Sequence, residues 1–429
     1  MAHIAVIGAG ITGITTAYSL LDHGHTVTVF DRHRYAAMET SFANGGQLSA
    51  SNAEVWNHPA MLIKGVKWLF RRDAPLLLNL KPSWHKYSWL AEFAAQIPHY
   101  RRNTVATVRL ALAARRALFA MAEREGIAFD LERRGILHVY GDRAGFEHAR
   151  DVNALLQAGG LERHAVSDAE IKAIEPTIHG DFYGGFYTPS DATGDIHLFT
   201  RGLAAACARR GARFVYDAAV ERVSAADAGV RLRWRSAETP AGVAEESAAD
   251  AVVVCAGTAS RRFAAMLGDR VNIYPVKGYS ITVDLDDAAS RAAAPRVSLL
   301  DDEAKIVTSR LGAERLRVAG TAEINGFDLD IRDDRVRPLV AWTRQLFPDV
   351  STERVVPWAG LRPMTPSMLP RVGAGRRPRV FYNTGHGHLG WTLAAATAGM
   401  VADAVDAGLR AATPTRGGVR VGTALGQTP

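Results

Sequence analysis

The sequence has few cysteines, no long apolar run and no cluster of basic residues, and each shortage excludes a class of protein. Cys207 and Cys255 are the only cysteines, which is too few for a disulfide framework, and they lack the spacing of a metal site. We therefore expect two buried thiols in a reducing compartment and no bound metal. No stretch of about 18 uninterrupted apolar residues occurs, so the sequence predicts no membrane-spanning helix.

The net charge of +7 is spread along the 429 residues and forms no basic arm. Because no recognition motif accompanies this charge, we do not expect nucleic acid as a partner. The first apolar strand starts at His3 and no basic region precedes it, so no signal peptide is predicted. With 48% hydrophobic and 22% charged residues, the composition is typical of a globular protein, and we expect a cytoplasmic location.

The order of predicted elements indicates an α/β protein of two domains, since 429 residues exceed the size of one ordinary domain. Helices and buried parallel strands are predicted at both ends and in the middle of the chain, with alternating antiparallel strands between them. A Rossmann-like nucleotide-binding domain built from discontinuous segments is expected at 1–50, 190–265 and 355–410. An α+β substrate domain with an antiparallel sheet is expected at 51–189 and 266–354, and a flexible tail at 411–429.

The clearest motif is the run Gly-Ala-Gly-Ile-Thr-Gly at residues 8–13, between an apolar strand and an Ala- and Leu-rich helix. Gly8 permits a tight turn, and Gly10 lets the backbone approach a pyrophosphate. Gly13 lets the helix and the strand pack closely. A glycine triplet in this context predicts a bound dinucleotide.

The residues around the glycines support the same prediction. The helix N-terminus at Ile11 and Thr12 offers free N–H groups and a partial positive charge to the pyrophosphate. A second strand ends at Asp31, whose carboxylate can accept hydrogen bonds from ribose hydroxyls and would repel the ribose phosphate of NADP. The motif does not separate NAD from FAD. After Arg32, however, the polar and glycine-bearing stretch 39–48 is suited to wrap a second phosphate and the edge of an aromatic ring.

Four further motifs follow in order, at Thr40–Gln47, Val276–Ser280, Gly360–Pro366 and Asn383–Thr392. Together with the glycine run, they resemble the FAD-dependent D-amino-acid dehydrogenases of the D-amino-acid oxidase superfamily, over about residues 3 to 408. The resemblance implies a two-domain fold that binds FAD non-covalently. It also implies oxidative deamination of a D-amino acid to a 2-oxo acid and ammonia, by hydride transfer from Cα to flavin N5. The electrons would pass to a quinone or another acceptor that is not oxygen.

The resemblance also implies which residues contact FAD, and it places a helix N-terminus beside the flavin, where it would stabilise the negative charge of the reduced ring. Besides the glycine run, Asp31 and Arg32, the expected contacts are Thr40, Ser41, Asn44, Gly46, Gln47, Leu48, Val220, Ala256, Gly257, Arg362, Gly387, His388, Leu389, Gly390, Trp391 and Thr392.

Three residues are candidates for the chemistry. Arg362, between prolines in a stretch with little other charge, is the candidate anchor, because a bidentate contact to the substrate carboxylate fixes angle as well as distance. The alternative is a structural arginine paired with an acid. Tyr279 is expected to donate to the same carboxylate or line the pocket, or else to belong to the core. His388 is a candidate base for the substrate ammonium, or it closes the pocket, or it merely belongs to a loop that positions backbone.

Three other functions stay open at this point. The flavin could pass its electrons to oxygen, in an oxidase of amino or imino acids such as D-proline, hydroxyproline or glycine-like substrates. An NAD-dependent dehydrogenase and a non-enzymatic FAD-binding scaffold are the alternatives from other classes.

One segment suggests a place of action. Residues 60–72 are amphipathic at helical spacing, with Lys64, Lys67 and Arg71 on one face. This pattern suits peripheral contact with the inner face of a membrane, where a quinone would be found. The alternative is a helix buried against the substrate domain.

Overall fold

The computed structural model describes residues 1–59, 76–236 and 243–412. Its helices are α1 (Ile11–Asp22), α2 (Trp84–Ala95), α3 (Tyr100–Glu125), α4 (Arg143–Ala158), α5 (Asp168–Ile174), α6 (Ile196–Arg209), α7 (Ser260–Met266), α8 (Ala288–Ala293), α9 (Asp333–Leu346) and α10 (Gly390–Ala412). Short 3₁₀ turns cover Ile97–His99, Gly257–Ala259 and Gly387–Leu389.

The strands of the first half are β1 (His3–Ile7), β2 (Thr26–Phe30), β3 (Gln47–Leu48), β4 (Leu76–Leu78), β5 (Ile136–Tyr140), β6 (His164–Val166), β7 (Gly184–Thr188), β8 (Ala192–Thr193), β9 (Arg213–Val215) and β10 (Ala218–Ala226). Those of the second half are β11 (Gly229–Ser236), β12 (Glu245–Ala249), β13 (Ala251–Val254), β14 (Tyr274–Asp284), β15 (Ser298–Asp301), β16 (Ile306–Leu311), β17 (Arg315–Ile324), β18 (Val355–Met364), β19 (Arg371–Ala374) and β20 (Val380–Thr384).

The first sheet has the strand order β19-β20-β13-β1-β2-β9, and all neighbours pair in parallel except β19 with β20. Parallel strands are buried on both faces, and alternate residues of β1 show this. Ile4 and Val6 pack against α1, α6 and α10, whereas Ala5 and Ile7 pack against the three-stranded sheet β10-β11-β12. The predicted α/β fold with a Rossmann-like sheet built from discontinuous segments is confirmed.

The second sheet is larger and mostly antiparallel, in the order β18-β14-β17-β16-β15-β5-β7-β6, with β4 paired to β17. Leu339 and Trp342 of α9 cover one face, where they pack against Ile281 and Val318. The predicted boundary at residue 355 is wrong for β18. This strand pairs with β14 from Val355 to Met364 and therefore belongs to the large sheet.

Two further predictions concern parts of the chain that the structure covers only in part. No helix among the described residues is long and apolar enough to cross a membrane. The amphipathic segment 60–72 lies outside the described residues, as does nearly all of the tail 411–429, of which the first two residues end α10.

Candidate functional site

A single cavity of about 960 Å³ extends from the end of β1 to the strands β14 and β18 of the large sheet. Ligand pockets usually measure ~300–1,000 Å³, so this one has room for a molecule larger than an amino acid. Nearly all of the predicted site residues border this cavity. The exceptions are Gly13, which lies behind the glycine turn, and Leu48, whose side chain is buried in the core.

The glycine turn forms one end of the cavity. Gly8 has φ of +106°, and a Cβ on it would lie 2.6 Å from the carbonyl oxygen of Cys255. A Cβ on Gly13 would lie 1.8 Å from the carbonyl oxygen of Gly8. The Ile11 N–H donates to Ser41 Oγ at 3.0 Å, which brings Ser41, an expected FAD contact, to the start of α1 and occupies an N–H that was expected to be free. Gly8 and Gly13 are therefore required because the turn packs directly against the Cys255 backbone and against the start of α1.

Asp31 lies beside this turn and is held by the backbone. Its two carboxylate oxygens accept from the N–H groups of Ala9 (2.6 Å) and His33 (2.9 Å). Burial raises its pKa above the usual range. Each oxygen keeps a lone pair for a hydroxyl donor, so the geometry fits the predicted ribose contact. Arg32, more exposed, forms an ion pair with Glu39 at the rim of the cavity.

The segment from Thr40 to Gln47 is fixed to the large sheet by its own side chains. Thr40 Oγ1 donates to the carbonyl of Leu361 at 2.9 Å, and Gln47 Nε2 donates to Ser298 Oγ at 2.7 Å. The Asn44 carboxamide accepts from the Gly46 N–H at 2.9 Å. These polar groups hold the segment in place, and this leaves its backbone to border the cavity.

Beyond the glycine turn, Val220, Ala256 and Gly257 border the same end of the cavity. The carbonyl of Val220 already accepts from Arg262 Nη2 at 2.7 Å. Sequence reasoning missed Arg262, because nothing in its local pattern separates it from a surface arginine on α7.

At the other end, the loop before α10 turns sharply into the cavity. Gly385 and Gly387 have φ of +78° and +58°, and a Cβ on Gly387 would lie 2.8 Å from Met364 Sδ. Gly390 starts α10, so the positive end of this helix borders the cavity. Thr392 Oγ1 accepts from the Ser49 N–H at 3.3 Å. The Trp391 ring packs in the core against Phe199, with centroids 5.2 Å apart.

His388 forms a wall of the cavity together with Trp56, with ring centroids 4.8 Å apart in a stacked arrangement. Its Nε2–H donates to the carbonyl of Asn52 at 3.3 Å. Burial and the nearby charge of Arg362 lower its pKa to about 4. The imidazole is therefore neutral near pH 7. His388 lies where it would close the pocket, and its role as a base for the substrate ammonium stays a prediction.

Arg362 reaches the cavity from β18, and the partners of its guanidinium among the described residues are backbone carbonyls. Nη1 donates to the carbonyls of Thr321 (3.2 Å) and, more weakly, Lys277 (3.5 Å). No carboxylate among the described residues forms an ion pair with it, which argues against a structural arginine. Burial lowers its pKa to about 10, so it is still charged at neutral pH. A Cβ on Gly278 would lie 2.3 Å from Arg362 Cζ, so this glycine makes room for the guanidinium.

Tyr279 does not stand beside Arg362, and this corrects the prediction of a carboxylate donor. Residues 278 and 279 point to opposite faces of β14, and the guanidinium lies over Gly278. The Tyr279 hydroxyl donates instead to Glu323 Oε1 and to the carbonyl of Asp330, each at 3.3 Å. Its ring packs in the core beneath α9, and the residue also borders the cavity, so the predicted place at the pocket wall is kept.

His386, two residues before His388, leads to a prediction about how stability depends on pH. Its Nε2–H donates to Thr397 Oγ1 (2.9 Å), its Nδ1 is buried without a partner among the described residues, and burial lowers its pKa to about 3. The unfolded chain gains this proton below about pH 6.5 and the folded protein does not. The contribution of His386 to the free energy of unfolding is thus complete above pH 6.5. It decreases as the pH is lowered, by roughly 2–3 kcal/mol at pH 4.5.

Urea unfolding at pH 7 and pH 4.5 tests this prediction. His386→Asn should show a smaller loss of stability between the two values than the unmodified protein. An equal loss in both proteins would show that His386 is not buried in its neutral form.

Comparisons with known proteins agree with one another. A family model described as FAD dependent oxidoreductase matches residues 3–404. D-amino acid dehydrogenase 3 of Mesorhizobium japonicum is 65% identical over 405 residues, covering 94% of this chain and 97% of the relative. D-amino acid dehydrogenase of Paramagnetospirillum magneticum is 43% identical over 416 residues, covering 94% of each. Among solved structures, glycine oxidase from Geobacillus kaustophilus has a TM-score of 0.72 at 21% identity, covering 95% of each chain, a likeness of fold alone.

Proposed function

Because this chain belongs to the family of FAD dependent oxidoreductases, we propose that it oxidises a D-amino acid to a 2-oxo acid and ammonia. Two relatives that match nearly the whole chain, at 65% and 43% identity, carry the name D-amino acid dehydrogenase. The family makes FAD the cofactor, and this sets aside the NAD-dependent alternative. Because these relatives carry the names of enzymes, the non-enzymatic FAD-binding scaffold is also set aside.

The observation that supports the substrate class is the unneutralised guanidinium of Arg362. A buried charge without a counter-ion is costly, and a carboxylate from the substrate would supply that counter-ion. The planar fork would hold both carboxylate oxygens and so fix the direction in which Cα points. Arg362 is therefore proposed as the residue that binds and orients the substrate.

The residues present fit FAD along the whole cavity. The glycine turn, the start of α1 and Asp31 would hold the ADP part, and the segment Thr40–Gln47 would run beside the ring system. FAD, when bound, supplies the acceptor for the hydride that leaves the substrate Cα. The N-terminus of α10 borders the cavity, and its partial positive charge would stabilise a ring that gains electrons there. Trp56 and His388 reduce the access of water.

The substrate amine must be neutral before Cα can be oxidised. With its pKa lowered to about 4, His388 cannot hold the ammonium proton near neutral pH. That proton is therefore expected to leave to solvent, and turnover at low substrate concentration is expected to rise with pH.

We also propose that the electrons pass to a quinone rather than to oxygen, and the word dehydrogenase in the names of the relatives agrees with an acceptor other than oxygen. Steady-state assays with a D-amino acid should show reduction of a quinone analogue or redox dye with stoichiometric 2-oxo acid. Oxygen uptake without the dye should be far slower than reduction of the dye. Oxygen uptake equal to dye reduction would favour the oxidase alternative.

A membrane quinone would require contact with the bilayer, and we keep 60–72 as the proposed contact because its basic and aromatic residues suit an interface. Flotation with anionic vesicles should carry the protein upward. Replacement of Lys64, Lys67 and Arg71 by Gln should abolish this flotation without loss of dye reduction. A protein that stays at the bottom of the gradient with such vesicles contradicts the proposed contact.

A further inference from the structure

Thr321 has an unusual backbone beside the guanidinium of Arg362. It lies near the end of β17, borders the cavity and has φ of +54°. β-branched residues rarely adopt positive φ, because their Cβ crowds the neighbouring carbonyl. Such strain persists only where the surrounding structure imposes it, and it often marks functional sites.

A bulge between β14 and β17 imposes the strain. Lys277 pairs with Glu323, and Tyr279 pairs with Gly320. Two residues of β17, at 321 and 322, thus stand opposite the single residue Gly278. The bulge therefore lies directly against the glycine over which the guanidinium packs.

The bulge turns the Thr321 carbonyl toward Arg362, and its oxygen lies 3.2 Å from Arg362 Nη1. The side chain offers no competing explanation for the conformation, since Thr321 Oγ1 is buried without a partner among the described residues. In a regular strand this carbonyl would pair with a neighbouring strand instead.

A buried ion pair holds the bulge in register from the opposite face of the sheet. Lys277 Nζ lies 2.9 Å from Glu323 Oε2, and both side chains are almost fully buried. Arg335 Nε lies 3.4 Å from the same carboxylate. Because Lys277 and Glu323 flank the bulge on β14 and β17, a shift of the strand register by one residue would separate these buried charges.

We propose that Thr321 is a positioning residue for substrate binding, because its left-handed backbone at the β17 bulge aims its carbonyl at Arg362 and so orients the guanidinium. The proposal rests on the proposed function, in which Arg362 binds the substrate carboxylate. It assigns a role to the backbone of residue 321 and none to its hydroxyl.

The first test replaces Thr321 by residues that adopt positive φ more readily than threonine does. Thr321→Gly and Thr321→Asn should keep the KM for a D-amino acid within about twofold, and Gly should raise Tm by roughly 1–2 °C because it relieves the strain. Thr282, in a regular part of β14, is the matched control, where Gly should lower Tm instead. A KM raised several-fold in both Thr321→Gly and Thr321→Asn would overturn the proposal, because it would assign the role to the threonine side chain.

The second test is a double-mutant cycle with Arg362→Ala. Thr321→Pro locks φ near −65° and should raise KM about tenfold, with kcat little changed and FAD retained. In the Arg362→Ala background the same change should have no further effect on kcat/KM. Equal effects in both backgrounds would assign Thr321 a merely structural role. Where Thr321→Pro does not fold, the KM values of Thr321→Gly and Thr321→Asn in the first test still decide the proposal.

The two proposals fail in different ways. If Arg362→Ala leaves the KM unchanged, the carboxylate anchor is wrong. If Arg362→Ala raises the KM but the changes at residue 321 act equally with and without Arg362, only the role of Thr321 is wrong.

Discussion

Replacement of Arg362 by alanine is expected to lower kcat/KM for a D-amino acid by roughly 100-fold or more, since two charged hydrogen bonds at ~1.5–3 kcal/mol each are lost. Most of the effect should fall on KM, because the anchor binds the carboxylate before and during the oxidation. The purified variant should stay yellow, since the glycine turn and Asp31 are untouched. Dye-reduction kinetics and the flavin absorbance measure the two quantities separately.

Two control variants refine this prediction. Arg362→Lys keeps a charge but loses the planar fork, and it should recover only part of the loss. Gly278→Ala keeps Arg362 but places a Cβ 2.3 Å from its Cζ, so it should raise KM by displacing the guanidinium. An unchanged KM in Arg362→Ala would remove this residue from the substrate site.

Replacement of Gly13 by alanine is expected to abolish or strongly weaken FAD binding. The new Cβ would lie 1.8 Å from the Gly8 carbonyl oxygen, so α1 and the turn must move apart. Overpacking of this kind costs about 1–3 kcal/mol, which corresponds to a roughly 10- to 100-fold weaker affinity if it falls on the bound state. Flavin content per polypeptide after purification, and the Kd on adding FAD back, measure the effect.

Gly399 is the matched control for this change, because a Cβ there meets nothing within 4 Å and the residue lies inside α10. Gly399→Ala should keep full flavin content and should not lower stability, since alanine favours a helix over glycine. Full flavin content in Gly13→Ala as well would contradict the role given to the turn.

The nucleotide end of the site could be predicted from sequence because its determinants are local. The strand, the glycines, the helix and Asp31 follow one another within 31 residues, and each has a backbone requirement that the residue type reveals. The Rossmann-like sheet followed from the same signals, repeated at β13 and β20. Arg362 was recognisable because a charge between prolines is unusual.

The substrate end could be predicted only in part, because its geometry depends on pairing between distant strands. β18 reads like the strands of the nucleotide domain, and only its register with β14 shows that it belongs to the large sheet. The hydroxyl of Tyr279 was misplaced because a one-residue difference decides which face a side chain occupies. Thr321 gave no signal, since threonine is common in regular strands and its positive φ arises from a bulge.

His388 illustrates a further limit. A histidine in a loop before a helix is a reasonable base by residue type. Its pKa depends instead on burial and on the charge of Arg362, which comes from a different strand. Such shifts follow from tertiary contacts that no local pattern contains.

The central claim is that the cavity holds FAD with its reactive ring beside a carboxylate anchor. An anaerobic absorbance titration of two samples of the purified protein, one with the D- and one with the L-enantiomer of the same amino acid, tests this most directly. We expect flavin absorbance in the purified protein, rapid bleaching by the D-enantiomer and little change with the L-enantiomer. A protein that neither contains nor takes up flavin, or a flavin that every D-amino acid leaves oxidised, would contradict the account.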